Sequence, residues 1–417
     1  MKLSTQPYKG TRDFYPDDMR VRKWMFDKWR QACESFGYEE YDGPILEPLE
    51  LYASKTSDEI VNEQTYSFTD RGDRKVVMRP EMTPTVSRMV AAKRQELGYP
   101  LRLYSIPNCF RYERPQKGRL REFWQLNADI FGVEGVDADV EVILLADAVM
   151  KSFGAKPDQY EIRVNSRMAM GELLEKNGFS KELAPKIIAL LDRTGKPEFD
   201  ILLDKFDEST KKRIRQFIDD SNPDDLVKTK AGDKFAEVLT RLKLAGVDAR
   251  PDLSINRGFD YYTDMVFEVF DTNPDNNRSM FGGGRYDGLV GQFGVEPAPT
   301  VGFAMGDATF MNFLEANKLI PDEAKEPETD IYIATIGDVA SDAQYIAGLL
   351  RNEGVNVAVD LSGKKLEKQI KTADKKGIKN VLFVGEEEIR TKQFKLKNIQ
   401  LGTERAVAIA EIAKIFR

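Results

Sequence analysis

The stretch Phe110-Arg111-Tyr112-Glu113-Arg114-Pro115-Gln116-Lys117-Gly118-Arg119-Leu120-Arg121 lies between two runs of strand character, residues 102–111 and 122–131. A polar, strongly basic connection punctuated by Pro and Gly predicts an antiparallel hairpin with a long loop. The loop exceeds the usual hairpin connection, and long loops on rigid scaffolds often carry function. Arg111 follows the apolar run 106–110, and an arginine fixed at a strand end suits bidentate binding of phosphate or carboxylate. The same residues also fit an exposed hairpin tip held by its own Glu–Arg pairs.

Upstream, Arg79-Pro80-Glu81-Met82-Thr83-Pro84-Thr85 stands where a strand (75–79) gives way to a helix (81–95). Glu81 could accept from a cationic or N–H-bearing ligand, or simply favour the helix start. Before it come a strand at 65–70 and an amphipathic helix at 20–36, stopped at Gly37. Downstream, a helix is expected at 138–153. A charged helical region then runs from about 168 to 250, broken at Gly178, Gly195-Lys196-Pro197 and Asn222-Pro223, and reads as an insertion.

Two further motifs follow. In Asn256-Arg257-Gly258-Phe259-Asp260-Tyr261-Tyr262-Thr263 the tyrosines offer flat faces and hydroxyls to a planar ligand. In Phe281-Gly282-Gly283-Gly284-Arg285-Tyr286-Asp287-Gly288 the glycines permit close approach of a ligand or another strand. The second lacks both the dinucleotide-loop spacing and the P-loop lysine. A helix is expected to start near Thr300. The acidic linker Pro321-Asp322-Glu323-Ala324-Lys325-Glu326-Pro327-Glu328 marks a boundary. Beyond it, apolar runs at 331–336, 355–359 and 381–384 alternate with helical text, which predicts a small α/β domain with a mostly parallel sheet. Lys364, Lys365, Lys368, Lys371, Lys375, Lys376 and Lys379 crowd one stretch there, as a solvated face or as a phosphate-binding patch.

Composition narrows the chemistry. The chain has 417 residues and a net charge of −7, with 41% hydrophobic and 31% charged residues. This is an ordinary globular balance, and the length predicts two or three domains. No apolar run approaches a membrane span, and the start lacks the apolar stretch of a signal peptide. A reducing, cytoplasmic setting is expected for a chain whose cysteines are Cys33 and Cys109. There are 0 histidines. That excludes Ser-His-Asp and Cys-His catalysis and any imidazole metal site, so no metal is expected on protein His or Cys ligands. The chemistry must rest on carboxylates, guanidinium groups, tyrosines, backbone amides or a bound hard cation.

Taken together, the motifs resemble the histidyl-tRNA synthetase family, a class II aminoacyl-tRNA synthetase family, nearly end to end. Lys9-Gly10-Thr11-Arg12-Asp13-Phe14 is similar to its opening, and 110–119 to its motif 2. Arg257-Gly258-Phe259-Asp260-Tyr261-Tyr262 resembles the histidine signature, usually RGLDYY. Gly283 to Leu289 resembles GGRYDGL, and Val301 to Gly306 opens like motif 3.

The resemblance implies an α+β catalytic domain, a six-stranded antiparallel sheet flanked by helices, over 1–325. It also implies a helical insertion at about 168–250 and an α/β anticodon-binding domain over 326–417. It implies a cytoplasmic homodimer and a histidine–tRNA ligase using ATP, with Mg2+ accompanying it. Histidyl-adenylate would form first, and the histidyl group would then pass to the 3′ end of tRNA(His).

By the same resemblance Arg111 would bind the α-phosphate, Glu113 the adenine end, and Arg257 would stand in for a metal at the reacting phosphate. A fixed guanidinium can stabilise phosphoryl charge without proton transfer. Glu81 and Tyr262 would hold the imidazole, with Tyr261 and Tyr286 in the same pocket. Thr83, Gln125 and Asp129 would hold the α-amino group. Gln116 and Arg121 would read the acceptor stem.

Three departures stand out. Thr309 occupies the place of the motif 3 arginine that stacks on adenine. Asp129 stands where Glu is common. Tyr112 and Trp124 replace residues that are often histidine. An eroded motif 3 is the feature that fits the alternative, a silent paralogue like the regulatory subunit of ATP phosphoribosyltransferase. A class II enzyme for another amino acid would need a different pocket from the 257–262 segment.

Overall fold

The computed structural model describes residues 3–53, 64–114, 118–195, 198–256, 261–276 and 278–416. The chain forms two compact units, one of residues 1–13 and 25–320, the other of 14–24 and 321–417. The long helix Pro16–Ser35 therefore contributes to both.

The strands of the first unit are β1 (Glu39–Glu40), β2 (Leu46–Pro48), β3 (Tyr66–Thr69), β4 (Lys75–Met78), β5 (Leu101–Ser105), β6 (Asn108–Phe110), β7 (Glu122–Phe131), β8 (Tyr160–Ser166), β9 (Ala249–Pro251), β10 (Met265–Asp271), β11 (Ser279–Arg285) and β12 (Thr300–Gly306). The main sheet has the order β1-β5-β7-β12-β11-β10-β8-β9, with β6 also paired to β7. The six strands from β5 to β8 in that order are antiparallel throughout. Short β1 and β9 add parallel edges, so the expected six-stranded antiparallel sheet is the centre of a wider mixed one. Strands β2, β4 and β3 form a separate antiparallel sheet.

The predicted hairpin is present: β6 pairs antiparallel with β7, Asn108 opposite Trp124. The helix expected near Thr300 is instead strand β12, and the helix begins at Asp307. The reason is a period of two: Val301, Phe303 and Met305 alternate with Gly302, Ala304 and Gly306. Small residues on one face let β12 lie at the sheet centre beneath a pocket, which a helix with three glycine or alanine positions would not require. Helices Thr83–Ala92, Asp137–Ser152 and Asp307–Ala316 flank the sheet. Between β8 and β9 the chain is mainly helical, from Arg167–Lys176 to Gly232–Leu244. Ser166 caps the first of these helices by accepting from Ala169 N–H.

The second unit carries β13 (Ile331–Ile336), β14 (Val357–Val359), β15 (Asn380–Gly385), β16 (Phe394–Asn398) and β17 (Thr403–Val407), in the order β14-β13-β15-β16-β17. β13 pairs parallel with β14 and β15, while β15, β16 and β17 pair antiparallel. The sheet is therefore mixed rather than mostly parallel. β16 is hard to read because Lys395 and Lys397 alternate with Phe394 and Leu396, the pattern of a strand with one buried face. Alternate residues of β13 feed two cores, Ile331 and Ile333 on one face, Tyr332 and Ala334 on the other. The lysine-rich stretch includes the helix Leu366–Lys375, which buries Gln369 and Ala373 and exposes its lysines. Gln369 holds it to β13 by bonding both the N–H and the C=O of Thr335, at 2.8 and 2.9 Å. Among the described residues no helix is long and apolar enough to cross a membrane.

Candidate active site

Strand register builds the site. Gln125 and Asp129 lie four residues apart on β7, so they share a face, opposite Gly306 and Gly302 of β12. Glu81 and Thr83 come from the junction of β4 with the following helix. Tyr261 and Tyr262 precede β10, and Tyr286 follows β11. These residues and Arg111 line one pocket, whose floor is Gly302, Phe303 and Ala304. Glu113 and Arg121 stand on the adjoining hairpin. Arg257 and Gln116 lie outside the described residues.

Glu81 is buried and does not cap the helix; Met82 is the N-cap residue, without a side-chain bond. The Glu81 carboxylate instead accepts from Tyr261 O–H at 3.0 Å. Tyr286 O–H donates to Asp129 Oδ1. Burial pushes the Asp129 carboxyl up to about 7, against the pull of the Tyr286 hydrogen bond. Gln125 Oε1 is buried and has no hydrogen-bond partner among the described residues. The rings of Tyr261, Tyr262 and Tyr286 touch one another, with centroids 4.9 to 6.4 Å apart. The pocket thus offers acceptors from Glu81, Gln125 and Asp129 between aromatic walls, the chemistry of a site for a ligand rich in N–H.

The glycines supply space. A Cβ on Gly302 would overlap Asp129 Oδ1, and one on Gly284 would come within 3.0 Å of the Tyr262 ring. Arg285, in the same motif, faces away from the pocket. It pairs with Asp139 at 2.6 Å and bonds the carbonyls of Val133 and Gly135. That buried strut fixes the end of β11, and with it Tyr286. Burial raises Asp139 to about 6 despite the guanidinium.

On the hairpin, Arg111 Nε donates to Pro80 O at 2.9 Å, and its guanidinium lies 5.3 Å from the Phe123 ring centroid. Glu113 lies 4.0 Å from Arg111 and 3.6 Å from Arg119. Arg121 stacks on Tyr112 at 4.1 Å and donates to Tyr8 O–H and to Glu113 O. Gly118, at φ +78°, returns against Thr309: a Cβ there would meet Thr309 Cγ2 at 3.1 Å.

Sequence reading assigned no role to Arg12, Asp307 or Arg167. Arg12 pairs with buried Asp307 at 2.7 Å, and Asp307 also accepts from Trp124 N–H at 3.0 Å. Arg12 was visible within the opening motif, but nothing in its spacing pointed to a partner at 307. Arg167 stands just before the region read as helical from about 168, and nothing in its spacing pointed to partners at 256 and 262.

Among the described residues there is no group of three or more His, Cys, Asp or Glu that could hold a metal ion.

Residues 10–308 match the family model described as histidyl-tRNA synthetase, and residues 330–417 match the one described as anticodon binding domain. A histidine–tRNA ligase of Leptospira biflexa is 42% identical over 412 residues, covering 95% of this chain and 94% of the relative. Apo histidyl-tRNA synthetase of S. aureus superposes with a TM-score of 0.76 at 25% identity, over 99% of this chain and 100% of its own. The enzyme of Nostoc sp. PCC 7120 shares the fold, with a TM-score of 0.80 at 22% identity over 99% of each chain. On the full-length identity and the matched catalytic and anticodon-binding models, the chain belongs to the histidyl-tRNA synthetase family.

Proposed function

We propose that this chain activates histidine with ATP and transfers it to tRNA(His), through the residues gathered in the pocket. As a family member it is an aminoacyl-tRNA ligase for histidine. The near full-length match to histidine–tRNA ligases, anticodon-binding region included, favours this over the regulatory paralogue. The observation that carries the site reading is the pairing of two enclosed carboxylates with two tyrosines: Glu81 with Tyr261, Asp129 with Tyr286. Histidine has an N–H-bearing ring at one end and an ammonium at the other. Glu81, with Tyr261 and Tyr262, would receive the imidazole. Asp129, Gln125 and Thr83 would receive the ammonium, and the unpartnered Gln125 acceptor supports that assignment.

In the first step a carboxylate oxygen of histidine attacks the α-phosphorus of ATP, and pyrophosphate leaves. Arg111, oriented by Pro80 O, would bind the α-phosphate, and Arg257 would offset the charge that develops there. Glu113 would receive the adenine amino group. Mg2+ would arrive on the phosphates of ATP, as this cation commonly does, and would screen the charge of the departing pyrophosphate. In the second step the terminal adenosine of tRNA takes the histidyl group and AMP leaves.

Arg121 would read the acceptor stem with Gln116, from a guanidinium already steadied by Tyr8 and Glu113. The exposed lysines of 364–376 would meet anticodon-stem phosphates. We assign catalysis to 1–325, with an insertion at about 168–250, and anticodon binding to 326–417. We also propose a cytoplasmic homodimer; half-exposed Leu46 and Phe68 on the small sheet, with Ile45 just before it, support burial against a second copy.

The test is amino-acid-dependent ATP–pyrophosphate exchange with each of the twenty amino acids and no tRNA. Exchange with histidine alone is expected. No exchange from folded protein would overturn the reading in favour of a silent paralogue.

A further inference from the structure

Three consecutive residues, Arg79-Pro80-Glu81, join the small sheet to the hairpin and to the pocket. Arg79 follows β4 and is 2% exposed. Its Nη1 donates to Asp42 Oδ1 at 2.9 Å and to Gly43 O at 2.7 Å. Its Nε donates to Asn108 O at 2.9 Å, and Nη2 donates to Asn108 Oδ1 at 3.3 Å. The backbone adds to this: Arg79 N–H donates to Ile45 O at 2.9 Å, and Arg79 O accepts from Phe110 N–H at 3.0 Å. Pro80 O then accepts from Arg111 Nε at 2.9 Å. Strand β6 and the arginine just after it therefore rest on Arg79 and Pro80 at Asn108, Phe110 and Arg111.

The pocket side of the tripeptide has anchors of its own. Glu81 O accepts from Tyr52 O–H at 3.3 Å, and the Glu81 carboxylate accepts from Tyr261 O–H at 3.0 Å. One peptide bond earlier, Pro80 O holds Arg111. The separation between the Glu81 carboxylate and the Arg111 guanidinium thus depends on how β6 is seated on Arg79. A planar fork can bridge 42–43 on one side and 108 on the other with fixed angles between its donors. A lysine ammonium, a point charge on a flexible stem, cannot.

We propose that Arg79 is a positioning residue for adenylate formation, seating Arg111 at a set distance from the pocket wall that carries Glu81. The inference rests on the role proposed above for Arg111. Arg79 is not among the residues that line the pocket, so its contribution is geometric. Misplacement of a catalytic group by about 1 Å can cost roughly 100-fold in rate.

The test uses the full chain and compares Arg79→Lys, Arg111→Ala and the double variant in histidine-dependent pyrophosphate exchange. Arg79→Lys is expected to lower kcat by roughly 30-fold or more, with KM for histidine within about two-fold, because the pocket side keeps its own anchors. A general loosening of the fold would raise KM for histidine instead. The double variant is expected to be no slower than Arg111→Ala alone, because residues acting through one group are not additive. Multiplying losses, a wild-type kcat for Arg79→Lys, or a raised KM for histidine with kcat unchanged would each overturn the proposal. Near-normal exchange by Arg111→Ala would instead overturn the reading of Arg111 and this inference with it, so the two failures are distinct. If Arg79→Lys does not fold, Asp42→Asn replaces it. That variant keeps an acceptor for Nη1 but loses the charge of a side chain that is 72% exposed. It is expected to lower kcat several-fold at unchanged KM for histidine, and a wild-type kcat there would overturn the proposal.

Discussion

Tyr286 donates its hydroxyl hydrogen to Asp129 Oδ1 inside the closed wall of the pocket, where burial holds the Asp129 carboxyl up to about 7. A carboxyl so placed is only partly ionised in the ligand-free protein at neutral pH. An arriving ammonium favours the ionised form, so binding and deprotonation are coupled.

The first consequence is a pH-dependent KM for histidine. Below about pH 7 Asp129 carries a proton that the ammonium must displace, so KM should rise about tenfold per pH unit as pH falls from 7. The imidazole of the substrate titrates near the same range, so the control is Asp129→Asn, which retains only the substrate's own dependence. Parallel profiles for wild type and Asp129→Asn in pyrophosphate exchange would contradict this account.

The same shift has a stability consequence of opposite sense. Asp129 binds its proton more tightly folded than unfolded. Between about pH 4 and 7 the native state therefore holds more protons, and stability falls as pH rises through that window. A shift from 3.8 to about 7 corresponds to a cost on the order of 4 kcal/mol at or above neutral pH. Asp129→Asn should unfold at a higher urea midpoint than wild type at pH 8, and the difference should shrink towards pH 4. An equal gap at both pH values would show that the group is not the source.

Gly302 tests the packing beneath the carboxylate. An added methyl would overlap Asp129 Oδ1 and press on Ala128 O, and a central strand cannot give way freely. Gly302→Ala should lose about 1–3 kcal/mol from overpacking and displace Asp129 from Tyr286. Histidine KM should rise by at least tenfold, with KM for ATP moving far less. Isothermal titration with each substrate separates the two.

These predictions also mark what sequence could convey. The hairpin around Arg111 was legible because its basic loop broke two apolar runs, and Glu81 and Tyr286 stood beside sharp motifs. β12 was misread although its apolar residues alternate with a period of two, and the purpose of Gly302, room for Asp129, depends on a strand distant in sequence. The alternative for Glu81, a helix cap, could be settled only by Tyr261, 180 positions away. Arg167 and Arg12 were illegible for the same reason: their partners at 256, 262 and 307 become neighbours only through the sheet order.

Arg12 and Asp307 supply the last test. Thr309 offers no guanidinium, yet the helix it belongs to begins with a carboxylate paired to Arg12, and that carboxylate also holds Trp124 N–H beside Phe123. The pair therefore fixes the strand carrying Phe123 and Gln125 to the end of β12. Asp307 is buried and Arg12 is 28% exposed, so removing the cation should cost about 1–3 kcal/mol, less than for a fully enclosed pair. Arg12→Ala should lower the thermal midpoint and raise KM for ATP several-fold, because Phe123, whose ring lies beside the Arg111 guanidinium, loosens. Asp307→Asn keeps an acceptor for Trp124 N–H but loses the charge, so it should show the stability loss with a smaller change in KM. In a double-mutant cycle the two stability losses should couple by at least about 1 kcal/mol. Additive losses would mean that the two side chains act independently and that Arg12 does not work through Asp307.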